Sequence, residues 1–108
     1  MSTIQKPWGC EEILYTGEYL VKRLTMRKGQ CCSLQFHEKK TETIVVISGT
    51  LEINHELVYL PGDYITILPG VVHQMSTREG DCVYLECSTV YGDEDTTRLE
   101  DKYGRVTK

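Results

Sequence analysis

From Tyr19 to Cys87 the chain is a succession of short β-rich runs, each closed by a Gly, Pro, Asn or charged turn. The runs are Tyr19–Met26, Cys31–His37, Glu42–Ile47, Thr50–Ile53, Glu56–Leu60, Tyr64–Leu68, Val71–Met75 and Cys82–Cys87. The punctuation between them reads "RKGQ", "EKKT", "SGT", "NHE", "PGD", "LPG" and "REGD". Strands of this length and spacing, with no helix-period stretch between them, predict an all-β sandwich or barrel. Without crossover helices the sheets are expected to be antiparallel. The apolar runs Ile44–Ile47 and Ile65–Leu68 are expected in the core.

At 108 residues the expectation is one domain over residues 1–108, with a barrel core near 19–90. An N-terminal arm, 1–18, and a tail, 91–108, flank it; the tail is expected to pack over an edge or fray. The net charge of -4 and dispersed basic residues give no basic face for nucleic acid, though a local site can still be positive. No run approaches the ~20 apolar residues needed to cross a bilayer, and the N-terminus lacks a signal peptide's apolar core. The five cysteines (10, 31, 32, 82 and 87) fit no common zinc spacing and read as reduced thiols, so a cytoplasmic location is expected.

The stretch "SLQFHEKKTE", Ser33–Glu42, puts polar groups into a core-like strand. Burying them unpaired costs free energy, so they need partners or a task. Alternation places Ser33, Gln35 and His37 on one face, and Glu42, Ile44 and Val46 on one face of the next strand. If the two strands form a hairpin, Glu42 approaches Gln35 and His37 from beside them. His73, after the Pro-Gly turn of "LPGVVHQM", supplies a further imidazole. Gln35, His37, Glu42 and His73 make an N/O donor set suited to one divalent ion: Zn, Mn, Fe, Co or Ni. The competing reading leaves Gln35 and Glu42 as solvated hairpin residues and His73 as a turn cap.

The spacing Gly29-x5-Gln35-x-His37-x4-Glu42-x6-Gly49 resembles the first cupin motif, with Gln where many cupins have His. Gly62 through "LPGVVH" to His73 is similar to the second, with Leu68 where Pro is common. The resemblance implies a double-stranded β-helix, the cupin or jelly-roll barrel, with a metal site near one mouth. "KPWG" (6–9), "YLVKRLT" (19–25), "SLQFH" (33–37), "VVISGT" (45–50) and "RLEDKYGR" (98–105) look like the isomerase domain of bifunctional type II mannose-6-phosphate isomerases. That family's metal ligands fall on Gln35, His37, Glu42 and His73. Lys40 stands where the family has a functional Arg, and Thr43 where it has a His associated with activity. Gln74 and Ser76 lie near positions of a family Arg and Asn. "HQM" (73–75) and "ECST" (86–89) resemble small stand-alone cupins of sugar-nucleotide pathways.

The resemblance implies a metal-dependent aldose–ketose isomerase acting on a small sugar or sugar phosphate. An ion polarises the substrate oxygens, and a side chain beside C1 and C2 moves the proton. Glu86, sharing a strand face with Tyr84 and Ser88, is the candidate base. Lys40 is a second candidate catalytic group, and Lys40 and Arg98 are candidates for holding a phosphate. His55 reads as a turn residue, and Trp8 and Tyr19 as covers of an open barrel end. Two alternatives stay open: a non-catalytic sugar-binding or regulatory cupin, and a metal cupin performing oxygen chemistry. By fold analogy a homodimer is expected, with Gln5–Tyr15 lending an edge strand. The complete ligand set tips the reading towards an enzyme.

Overall fold

The computed structural model describes residues 2–107; Met1 and Lys108, the outermost positions of the expected domain, lie outside the described residues. Eleven strands run in chain order as β1 (Ser2–Lys6), β2 (Gly9–Thr16), β3 (Leu20–Met26), β4 (Leu34–His37), β5 (Glu42–Ser48), β6 (Leu51–Ile53), β7 (Leu57–Tyr59), β8 (Tyr64–Ile67), β9 (Met75–Ser76), β10 (Cys82–Ser88) and β11 (Thr96–Glu100). A 3-10 turn, Asp93–Asp95, precedes β11. All pairings are antiparallel, as expected. A six-stranded sheet has the order β1-β2-β3-β10-β5-β8, and β7-β6-β9 and β11-β4 form two smaller sheets. The architecture is the expected antiparallel jelly roll.

Alternation produces the interior directly. In β3, β5 and β10 every second residue is buried, from Leu20 to Met26, Glu42 to Val46 and Cys82 to Ser88. Leu24, Met26, Ile44, Val46, Cys82 and Tyr84 of the large sheet pack in one cluster with Leu51, Ile53 and Met75 of the small one. Burying a side chain of this size contributes roughly 1.5–3 kcal/mol, so this interlayer cluster dominates the stability of the fold.

Several expectations change. The segment assigned to an arm forms β1 and β2, and Trp8 between them is buried in the core cluster. Gln5–Tyr15 pairs within the chain, β1 to β2 and β2 to β3, and leaves β1 at an edge of the large sheet, as the dimer expectation requires of it. The strand expected over Val71–Met75 survives only as Met75–Ser76, with His73 in an isolated bridge to Gln35. The Pro69–Gly70 turn leaves Val71 and Val72 exposed. The run Cys31–His37 becomes strand only from Leu34, while Cys31 bridges Ser76 alone. Ile47 and Leu68 are exposed, because Ile47 has the outward parity of β5 and Leu68 follows the end of β8. Tyr19 does not cover a barrel end. It is exposed and packs on Tyr15, ring centroids 4.7 Å apart. His55 does sit in a turn, where Asn54 and His55 both have positive φ. The tail supplies β11, which covers β4.

Gly49, between β5 and β6, has φ +77°, and a Cβ there would collide with the carbonyl of Asp81. Both effects oppose any side chain. Gly49→Ala is expected to cost roughly 2–3 kcal/mol in urea unfolding. An unchanged midpoint would show that the loop relaxes without strain.

Candidate functional site

The expected hairpin does not form: β4 pairs with β11, and β5 with β10 and β8, in a different sheet, so Glu42 meets His37 across the interior between the two sheets. Leu34–His37 and Glu42–Ser48 are separated by a four-residue turn that the Asp95 carboxylate fastens by accepting hydrogen bonds from the amides of Lys39 and Lys40 (3.1 and 2.9 Å). His73 is brought across from the later loop by two backbone hydrogen bonds with Gln35: Gln35 N–H to His73 O (2.9 Å) and His73 N–H to Gln35 O (2.8 Å). His37, Glu42 and His73 are all buried, and one ligand atom from each lies within 4.8 Å of the others. His73 Nε2 is 3.1 Å and His37 Nε2 3.6 Å from Glu42 Oε1.

These close approaches are not hydrogen bonds. Both imidazole Nε2 atoms and both Glu42 oxygens are buried without a hydrogen-bond partner. The reason is visible at His73. Its Nδ1 lies 2.9 Å from the carbonyl of Val71, which can only accept, so Nδ1 carries the proton. A neutral His73 then aims the Nε2 lone pair at a carboxylate that also has only lone pairs. Such a face is unfavourable by itself and is satisfied by a cation. Donor atoms about 2.0–2.2 Å from a shared ion stand about 3–4 Å apart, and the separations from Glu42 fit that range. The carbonyl on Nδ1 is also the outer partner commonly found behind a metal-bound histidine. The residues present therefore fit a divalent ion.

Gln35 lies on the same side, lines the adjoining cavity and accepts a hydrogen bond at Oε1 from Ser33. That leaves its amide oxygen a second lone pair. Thr43 is on the opposite face of β5, where its hydroxyl shares a 2.8 Å hydrogen bond with Thr66. The position at which the resemblance expects a His thus points away from the cavity.

The neighbouring charges form a chain. Lys40 is 6% exposed, and its Nζ stands 3.3 Å from both Glu42 Oε2 and Glu86 Oε2. Burial opposes ionisation of Glu42, but the Lys40 ammonium beside it favours the charged form, and the carboxyl is held below its usual range. Burial, reinforced by the Glu42 charge, pushes Glu86 up to about 7. Lys40 is raised despite burial because Glu86 and Glu42 favour its charged form. Cys32, also on the cavity wall, is pushed by burial up to about 12 and presents a neutral thiol.

The cavity holds about 60 Å³. Gln35, His37, Lys40 and Glu86 line its depth, Trp8 and Leu24 give it an apolar wall, and Arg98 reaches it from β11. Sequence reasoning did not find Lys6, Glu11, Lys22 or Asp93, which also line it. Lys22 binds Glu11 at 2.8 Å. The available signal was the alternation of β3, which turns Lys22 inward with Leu20 and Leu24.

The chain is 31% identical over 110 residues to the xanthan biosynthesis protein XanB of Xanthomonas campestris pv. campestris, over 95% of this chain and 24% of that protein. It is 32% identical to the mannose-1-phosphate guanylyltransferase ManC of Salmonella typhimurium, over 95% of this chain and 23% of that protein. It therefore spans about a quarter of the length of these curated relatives. Among solved structures, a sugar phosphate isomerase of the cupin superfamily from Silicibacter pomeroyi superimposes with a TM-score of 0.71 at 20% identity, over 94% of this chain and 81% of that one. The family model described as "Mannose-6-phosphate isomerase C-terminal" matches residues 1–101. With that match over nearly the whole chain, the chain belongs to this family.

Proposed function

We propose that the chain is a metal-dependent aldose–ketose isomerase for a phosphorylated hexose of the mannose-6-phosphate kind. The observation that carries this reading is the buried, partnerless set of His37 Nε2, His73 Nε2 and the Glu42 carboxylate beside a charged cavity. In the proposal these three residues, with Gln35, hold one divalent ion: Zn, Mn, Fe, Co or Ni. When bound, such an ion supplies Lewis-acid polarisation of the substrate oxygens and offsets negative charge that develops on them.

The remaining work falls to the chain's own groups. Glu86 lies two residue pairs along from Glu42 on the neighbouring strand, since Glu86 faces Ile44 and Ser88 faces Glu42. From there its carboxylate moves the proton between C1 and C2. Lys40, tied to both carboxylates, fixes the orientation of Glu86 and stabilises its charged form. Trp8 and Leu24 exclude water from one side. Arg98, rather than Lys40, is the better placed cation for a phosphate, because the Lys40 ammonium is engaged by two buried carboxylates.

That engagement also favours a second reading, a sugar-binding cupin without turnover. One experiment separates them: metal-loaded protein is mixed with mannose 6-phosphate, and fructose 6-phosphate is followed by NMR. Interconversion supports the isomerase. Saturable binding with no product, across a panel of hexose phosphates, supports the binding module.

A further inference from the structure

The cavity mouth contains a carboxylate oxygen held between two cations. Asp93 Oδ2 is 3.2 Å from Lys6 Nζ and 3.7 Å from Arg98 Nη2. The three residues come from distant parts of the chain: the end of β1, the 3-10 turn after β10, and β11. The cations are largely buried, with side chains 15% and 18% exposed, whereas the Asp93 side chain is 62% exposed. The Arg98 Nε is buried with no hydrogen-bond partner. Lys22, Lys40 and Arg105 also line the cavity, but their carboxylate partners, Glu11, Glu42, Glu86 and Asp101, are mostly buried. Asp93 is the only exposed, loop-borne counter-ion among them.

We propose that Lys6 and Arg98 form the subsite for a phosphate monoester, and that Asp93 occupies this subsite in the empty protein as a built-in competitor. This rests on the isomerase reading for the rest of the substrate, but the anion site stands on its own geometry. Two converging cations are the arrangement a phosphate oxygen takes. With Asp93 withdrawn, Lys6, Lys22 and Arg98 face Glu11 alone. The mouth then carries two net positive charges, the complement of a phosphate dianion. The size of the cavity agrees. About 60 Å³ accommodates water, whereas small-molecule sites run to roughly 300–1,000 Å³. Displacing Asp93 leaves Lys6 with only Glu11, 3.8 Å away, frees Arg98 and unpins the 3-10 turn from the mouth in one event.

The test titrates inorganic phosphate into the chelator-treated protein by NMR, so that phosphate cannot report on a metal. Asp93→Asn is expected to bind phosphate about tenfold more tightly than the unaltered chain. Glu94→Gln, the same charge change on the same turn, is expected to leave the affinity unchanged. Lys6→Gln or Arg98→Gln in the Asp93→Asn background is expected to lose the gain. Equal affinity in Asp93→Asn and the unaltered chain, or an equal gain in Glu94→Gln, overturns the proposal. So does retention of the gain in both cation variants. Because neither metal nor turnover enters the readout, failure here leaves the isomerase reading standing, and failure of the isomerase assay leaves the anion site standing.

Discussion

Protein purified without a metal-chelating tag is expected to contain close to one divalent ion per chain, and His73→Ala almost none. Glu42 is 1% exposed and faces two imidazole nitrogens with no hydrogen bond among them. A bound ion replaces this arrangement of opposed lone pairs with coordination, so binding and stability are linked. At a free-ion concentration a hundred times its Kd, the ion adds about 2.7 kcal/mol to folding stability. A chelator should therefore lower the Tm of the unaltered chain and leave that of His73→Ala unmoved. His37→Ala provides a second variant should the first fold poorly. If the unaltered chain stays metal-free after incubation with each candidate ion, the cluster is an uncoordinated polar core and the binding-module reading takes over.

The second large effect is expected at Glu86. Glu86→Gln keeps the size of the side chain and an oxygen for Lys40, but removes the basic carboxylate. General acid–base groups contribute about 10²–10⁴-fold, so turnover should fall by that factor while the metal content remains that of the unaltered chain. Two readings on one sample make the result specific. A parallel loss of metal would assign Glu86 to supporting Glu42 through Lys40. Activity within a few-fold of the unaltered chain would place the base elsewhere.

How much of this was legible depended on the range of the interactions. Ser33–Glu42 could be read in part: alternation turned His37 and Glu42 inward, but they meet between two sheets rather than within the expected hairpin. The same parity rule set the inward faces of β5 and β10, and with them Glu42 and Glu86. Apolar character misled where parity or a turn overruled it: Ile47, Leu68, Val71 and Val72 are all exposed. The cavity mouth was hidden for a different reason. Lys6 and Asp93 meet across 87 positions, and Arg98 reaches the site only because β11 pairs with β4, opposite Gln35. No local pattern encodes those encounters. Lys6 and Asp93 therefore read as residues of an arm and a tail. The partnered state of Lys40 was equally invisible, since its two carboxylates lie on other strands.

The strand order also carries a consequence for how the molecule is made. β10 lies between β3 and β5, strands synthesised much earlier. Until Cys82–Ser88 has left the ribosome, the large sheet exists only as two unjoined fragments, β1-β2-β3 and β5-β8. Each has an open inner edge, and such edges invite pairing with other chains. The last inner strand to be synthesised is thus the keystone that closes both edges, and it carries Glu86. A nascent chain stalled before this strand has the turn that joins His37 to Glu42 but neither a closed sheet nor Glu86. Closing the large sheet and bringing Glu86 beside Lys40 are thus a single event in the life of the chain, and β11 with Arg98 is added only afterwards.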